Sequence, residues 1–282
     1  MQLGDYRVEV IPDGEFRLDG GAMFGVVPRV LWERVAPPDE LNRIKLNCNC
    51  LFIDTGNKKI LIETGMGDKW TPKQQAMYGV FRTRPFAESL NEIAGCTPDD
   101  IDIVINTHLH FDHAGGNTVS VPGAVATGAF QPQFKNARYL VSKSEFAAAE
   151  SPHERDRASY LAENWHPLID SKQLDLTPDT YEPVEGLTVE QVRGHSETMQ
   201  TIKLQRGGET LVGFFDMIPT GHHIAYPWIM SYDLYPTETL EYKKRILPQA
   251  LEENWICHFY HDFEHPLCRL AEVGGKMRAV PI

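Results

Sequence analysis

His108-Leu109-His110-Phe111-Asp112-His113 sets three imidazoles and a carboxylate within six residues. The stretch follows Ile101-Asp102-Ile103-Val104-Ile105 and precedes Gly115-Gly116. The apolar run reads as a buried strand, because β-branched residues dominate it and it is too short for a helix. A strand that opens into a polar, metal-competent loop is a common way to build a site at the end of a sheet. Neutral imidazoles and carboxylates are the donors that zinc, iron and manganese take. Burying so many polar groups without a shared guest is costly, which argues against a coincidental cluster.

Working outward, the 282-residue chain is 42% hydrophobic and 23% charged, so it is globular and long enough for one large α/β domain. Its 27 basic and 39 acidic side chains leave a net charge of −12, against nucleic acid as a partner. The densest basic cluster, Lys243-Lys244-Arg245, reads as the solvated face of a helix. The first residues, Met1 to Arg7, lack the basic-then-apolar pattern of a signal peptide. No run approaches the ~18 apolar residues of a membrane span. Five sparse cysteines, Cys48, Cys50, Cys96, Cys257 and Cys268, fit a reducing cytoplasm better than a disulfide framework. Cys48 and Cys50 read as buried thiols on one strand face.

Hydrophobic periodicity places strands at Arg7 to Ile11, Cys50 to Asp54, Lys59 to Glu63 and Arg138 to Ser142. The second and third are joined by a hairpin at Gly56-Asn57. Later strands are expected at Leu187 to Val192, Thr198 to Leu204, Thr210 to Phe214 and Trp255 to Phe259, the first three as a meander. Helices are expected at Phe86 to Ala94, Ser144 to Glu150, Glu154 to Trp165 and Thr237 to Leu247, the last capped by Thr237. Val119 to Asn136 reads as a long loop. Two packed sheets flanked by helices, in one domain over 1–282, accommodate this order. Three more donors sit at strand ends: His195, Asp216 and His261. Each alone is more often structural, but their common placement favours one metal constellation.

This arrangement resembles the metallo-β-lactamase superfamily, whose signature is His-x-His-x-Asp-His followed by a distal His, Asp and His. The resemblance spans Leu51 to His261 and implies an α/β (α+β) fold, a four-layer αββα sandwich with a dinuclear site. It implies that His108, His110 and His195 hold one divalent ion and Asp112, His113 and His261 the other, with Asp216 bridging. Zinc is the default metal, with iron or manganese as alternatives. The family usually places an Asp before Thr-Gly to brace the metal loop; by order, Glu63-Thr64-Gly65 fills that place here, one methylene longer.

A narrower similarity is to quorum-quenching lactonases and organophosphate (methyl parathion) hydrolases. Asp19-Gly20-Gly21-Ala22-Met23-Phe24-Gly25-Val26-Val27-Pro28 and Asp216-Met217-Ile218-Pro219-Thr220-Gly221-His222-His223 carry it, with Pro227-Trp228 and Tyr232-Asp233 after them. It implies that Met23 and Phe24 line the substrate pocket and that His223 stands near the metals. His153, His166, His222, His258 and His265 read as structural.

The chemistry implied is hydrolysis of a small molecule by a metal-bridging hydroxide, because coordination lowers the pKa of water from ~15.7 toward ~7. Asp112 would shuttle the proton to the leaving group, and no Gly-x-Ser-x-Gly elbow competes for the role of nucleophile. Only 21 residues follow His261, too few for the helical domain of glyoxalase II. True β-lactamases carry Cys or Ser in place of the bridging Asp. The acidic charge disfavours a nuclease, and His110 replaces the Glu of flavodiiron proteins. A lactone or ester is the leading substrate, although Pro219 stands where lactonases often carry a Tyr and Tyr226 comes later. A phosphotriester or other phosphoester is the alternative, and a non-catalytic metal-containing binding protein is the less favoured one. Tyr226-Pro227-Trp228 is a candidate pocket wall or homodimer contact.

Overall fold

In the computed structural model, which describes residues 1–121 and 129–282, the chain is mixed α/β and divides into two compact units. The first comprises Met1–Gly14, Cys48–Met77 and Phe81–Asp179; the second comprises Glu15–Asn47, Tyr78–Val80 and Thr180–Ile282.

The strands of the first part of the chain are β1 (Gln2–Leu3), β2 (Tyr6–Asp19), β3 (Arg43–Asp54), β4 (Lys59–Ile62), β5 (Ile103–Ile105), β6 (Thr118–Ser120), β7 (Phe130–Pro132), β8 (Arg138–Ser142) and β9 (Leu174–Thr177). Seven of them form a sheet in the order β1-β2-β3-β4-β5-β8-β9, while β6 and β7 pair separately. The hairpin at Gly56-Asn57 forms as expected, with Asp54 opposite Lys59. From β4 to β9 neighbouring strands are parallel, so β4, β5 and β8 all open at the same end of the sheet. Ile60, Leu61, Ile62, Val104, Ile105 and Val141 on these strands are buried, as the near-continuous apolar runs of parallel strands imply. The helix Phe86–Ala94 is as expected and ends at Gly95, whose φ of 73° only glycine adopts without strain. Ser142 caps the helix Lys143–Glu150 by accepting from the Glu145 amide.

The second unit carries β10 (Thr180–Val184), β11 (Leu187–Gln191), β12 (Gln200–Arg206), β13 (Glu209–Gly213), β14 (Ile256–His258), β15 (Leu267–Val273) and β16 (Lys276–Pro281), hydrogen-bonded in that order. The expected meander is β11-β12-β13, antiparallel throughout. β13 and β14 are parallel, so the C-terminal ends of β11, β13 and β14 lie at one end of this sheet.

Several expectations need correction. Glu154 to Trp165 is not one helix but two single 3₁₀ turns, Arg157–Ser159 and Ala162–Asn164. Between them Tyr160 is extended and bridges to His110, and that pairing overrides the local helical spacing. The last helix runs Pro236–Glu252 with Tyr235, not Thr237, at its N-cap. Pro236 occupies the first turn, where a missing N–H costs nothing. The helix continues through Pro248 because Tyr242, Leu247 and Ala250 bury its inner face. Lys243 is not solvated: it is fully buried on that same face. Of the loop expected at Val119 to Asn136, residues 122–128 lie outside the described residues, and β6 and β7 flank them. All five cysteines are free and buried. Among the described residues, no helix is long and apolar enough to cross a membrane.

Candidate metal centre

In the first unit, the His-rich loop leaves the end of β5 beside the end of β4. Glu63, the residue after β4, is fully buried and holds φ at +63°, a conformation costing a non-glycine residue about 1–3 kcal/mol. The strain places its carboxylate under the loop. Oε1 accepts the Thr107 amide at 3.1 Å and the Thr107 hydroxyl, and Oε2 accepts the Asn106 side-chain amide at 3.3 Å. Glu63 therefore performs the bracing expected of a shorter Asp. The Thr64 amide donates to the His113 carbonyl at 2.8 Å, and Asn117 links to Asn106 at 2.9 Å. Gly115 and Gly116 let the backbones touch: a Cβ at either would lie 2.1 Å from the Met66 or Thr64 carbonyl oxygen.

The three imidazoles converge as a result. The His108 ring centroid lies 4.6 Å from that of His110 and 4.0 Å from that of His113. Asp112 sits on the short helix Phe111–Ala114 and is buried with them. Since the Thr107 hydroxyl donates to Glu63, His108 Nδ1, 3.1 Å from that oxygen, carries the proton and Nε2 the lone pair. His113 Nδ1 lies 3.4 Å from Glu63 Oε1 without a hydrogen bond between them.

Sequence reasoning missed several supports of this loop. Glu145, fully buried, accepts the Leu109 amide at 2.7 Å and bonds the Tyr160 phenol. Tyr160 stacks edge-on against His110 at 4.7 Å, and burial with the Glu145 charge pushes its ionisation far up. Asp13 accepts the Met66 amide at 2.8 Å and pairs with Arg82 at 2.7 Å. The Lys69 ammonium donates to the carbonyls of Gly115 and Thr118, and burial lowers its pKa to about 8. Of the two carboxylates only Glu145, three residues past the end of β8, offered a positional hint; Asp13 lies inside β2.

In the second unit, His195, Asp216 and His261 emerge beyond β11, β13 and β14, and the common sheet end brings them together. The Asp216 carboxylate offers one oxygen to each histidine: Oδ2 lies 3.3 Å from His195 Nε2 and Oδ1 lies 3.1 Å from His261 Nε2. The outer nitrogens are already committed. His261 Nδ1 is 2.9 Å from the Asn47 carbonyl, which can only accept, so Nδ1 carries the proton. His195 Nδ1 is 3.1 Å from Asp233 Oδ1, whose other oxygen accepts from Thr239 at 2.7 Å. In neutral imidazoles both Nε2 lone pairs thus point at carboxylate oxygens, an arrangement that a cation relieves. Phe215, immediately before Asp216, is held at φ +48°, an outlier for a bulky residue. The role of Asp233 was not legible in the sequence, because its position 38 residues beyond His195 carries no spacing signal.

Met23, Phe24 and His223 also come together within this unit. His223 Nε2 donates to the Met23 carbonyl at 2.8 Å, and Nδ1 accepts from the Thr220 hydroxyl at 2.7 Å. Its ring stacks on Phe24 at 4.8 Å, and burial lowers its pKa to about 3. Both nitrogens are engaged, so His223 acts as a clamp on the Gly20–Phe24 helix. The other face of Phe24 stacks on Trp32 at 5.4 Å.

The family model for the metallo-beta-lactamase superfamily matches residues 43–261. An N-acyl homoserine lactonase of Bacillus thuringiensis is 27% identical over 235 residues, covering 76% of this chain and 81% of the relative. A solved structure described as a "probable metal-dependent hydrolase" from Staphylococcus aureus is 30% identical, covers all of this chain and 99% of its own, and superposes with a TM-score of 0.90. A dizinc quorum-quenching lactonase solved with a product, N-hexanoyl-L-homoserine, shares the fold at 19% identity and a TM-score of 0.77, covering 100% of this chain and 96% of its own.

Proposed function

Because the chain belongs to the metallo-β-lactamase superfamily and is a metal-dependent hydrolase, we propose that it opens a lactone or cleaves an ester of a small molecule at a dinuclear centre. The observation that carries the dinuclear reading is Asp216, with one imidazole nitrogen at each carboxylate oxygen and both outer nitrogens already committed. A carboxylate in that setting is suited to bridge two cations. In this reading His108, His110 and His195 would hold one ion, and Asp112, His113 and His261 would hold the other. The imidazole and carboxylate donor set suits zinc, with iron or manganese as the alternatives.

When bound, the ions supply an activated water near neutral pH and polarise the scissile carbonyl. The protein's own residues orient and move protons. Glu63 and Asp233 fix which imidazole nitrogen faces inward, and Asp112 carries the proton to the leaving oxygen. The likeness to a lactonase favours a lactone over a phosphotriester.

Metal content per chain, measured beside turnover of lactones, aryl esters, phosphotriesters and thioesters by metal-reconstituted protein, tests this reading. The expected result is about two metals per chain and the highest kcat/KM on a lactone or ester. A folded protein that loads no transition ion overturns the metal assignment, and a preference for phosphotriesters overturns the substrate class. A ligand that raises thermal stability without being turned over would point to a binding protein.

A further inference from the structure

The second unit contains a cavity of about 1030 Å³ that none of the donors His195, Asp216 and His261 lines. Its size is at the upper end of small-molecule sites. Two features show that it is built rather than incidental. The first is the wall Ala225–Trp228. Lys243, fully buried on the helix Pro236–Glu252, donates its ammonium to the carbonyls of Ala225 at 2.6 Å, Tyr226 at 3.2 Å and Trp228 at 2.9 Å. Burying a cation is expensive, and here it fixes a loop that leaves Tyr226 38% exposed on the cavity side. Phe263, 40% exposed, and Leu31, 46% exposed, extend the apolar lining. Such clustered exposed apolar side chains mark a binding surface.

The second feature is charge. Arg34, Lys276 and Arg278 line the cavity, and none has a carboxylate within ion-pair distance among the described residues. The buried acid at the cavity, Asp262, accepts hydrogen bonds from the amides of Gly221, Glu264 and His265. Glu264 faces His265 at 3.9 Å, and Lys45 faces Glu15 at 3.7 Å. Three unspent cations beside aromatic walls stand out in a chain of net charge −12.

We propose that this cavity binds an amphipathic carboxylate, a fatty or aryl-acyl anion, with its body against Tyr226, Trp228 and Phe263 and its charge met by Arg34, Lys276 and Arg278. None of the proposed metal donors lines it, although Phe24, expected at the substrate pocket, does.

Titration of the full-length, metal-loaded protein with octanoate and with 4-phenylbutyrate, read by tryptophan fluorescence, tests the proposal, with octan-1-ol as the uncharged comparison. Saturable binding of either carboxylate is expected, at least ~10-fold tighter than octan-1-ol. The two arms show whether an alkyl or an aryl body fits better. Binding should survive metal removal by a chelator, lose its signal in Trp228→Phe and weaken at least ~10-fold in Arg34→Glu/Arg278→Glu. If that double variant does not fold, Tyr226→Ala, expected to bind several-fold more weakly, carries the test. No saturable signal, equal affinity for the alcohol, or unchanged affinity in the variants overturns it. Loss of binding on chelation does the same, since it places the carboxylate on the metal donors. A wild-type dimer that Tyr226→Glu converts to monomers, with no octanoate bound, assigns the cavity to a contact between copies instead.

Discussion

The two donor sets solve one chemical problem from opposite starting points. In the first unit the donors are neighbours in sequence, and the difficulty is to curl six residues so that the rings meet. Glu63 and Thr64 do so through buried hydrogen bonds to the backbone of Thr107 and His113, and Asn117 ties Thr64 to the Asn106 side chain. In the second unit the donors lie 21 and 45 residues apart, and the sheet does the gathering. There the supports, Asp233 and the Asn47 carbonyl, act on the rings rather than on the backbone. A contiguous motif is thus held by bracing its main chain, and a dispersed one by orienting its side chains.

The largest expected effect separates donors from supports. Asp216→Ala should abolish stoichiometric metal uptake and reduce turnover by more than ~10³-fold; elemental analysis that still finds two ions would refute the bridging role. Asp233→Ala should be milder, since it frees the His195 ring without removing a ligand. A loss of about 10–100-fold in metal affinity is expected by competition with a chromogenic chelator.

Glu63→Ala should act on the first unit through stability. It strands the buried Thr107 amide and should cost about 1–3 kcal/mol in denaturant titration of the metal-free protein. Glu63→Asp should lose less, because Asp tolerates positive φ and still presents a carboxylate. If Ala and Asp behave alike, the brace is not electrostatic.

The smallest effect concerns Lys243, whose pKa burial lowers to about 7. A lysine whose folded pKa lies below its unfolded value leaves the unfolded chain holding more protons in between. Stability from this group therefore rises from about pH 7 toward about pH 10. The difference in melting temperature between wild type and Lys243→Met should change across that window and stay flat below it.

How much of this was legible follows the same division. The β5 strand and the His loop could be read directly, since a short β-branched run ending in a dense donor cluster folds most economically as a strand opening on a metal site. The strands ending near His195, Asp216 and His261 were legible as alternation, but their joint purpose came from the resemblance. Asp233, Glu145 and Asp13 were invisible as supports because a buried carboxylate leaves no periodic trace. The helix expected at Glu154 to Trp165 failed where Tyr160 pairs with His110, a tertiary contact that no local pattern encodes. Lys243 failed for a related reason: its charge is answered by carbonyls of a loop some 15 to 18 residues away.

The burial of all five thiols has a practical corollary. Desolvation pushes Cys96 up to about 11 and Cys257 and Cys268 to about 12, so these sulfurs stay protonated and sheltered from alkylating reagents at neutral pH. The native chain thus offers a silent background for maleimide chemistry. A single cysteine introduced at an exposed position such as Tyr226 can then take a fluorophore selectively, turning the Ala225–Trp228 segment into a reporter.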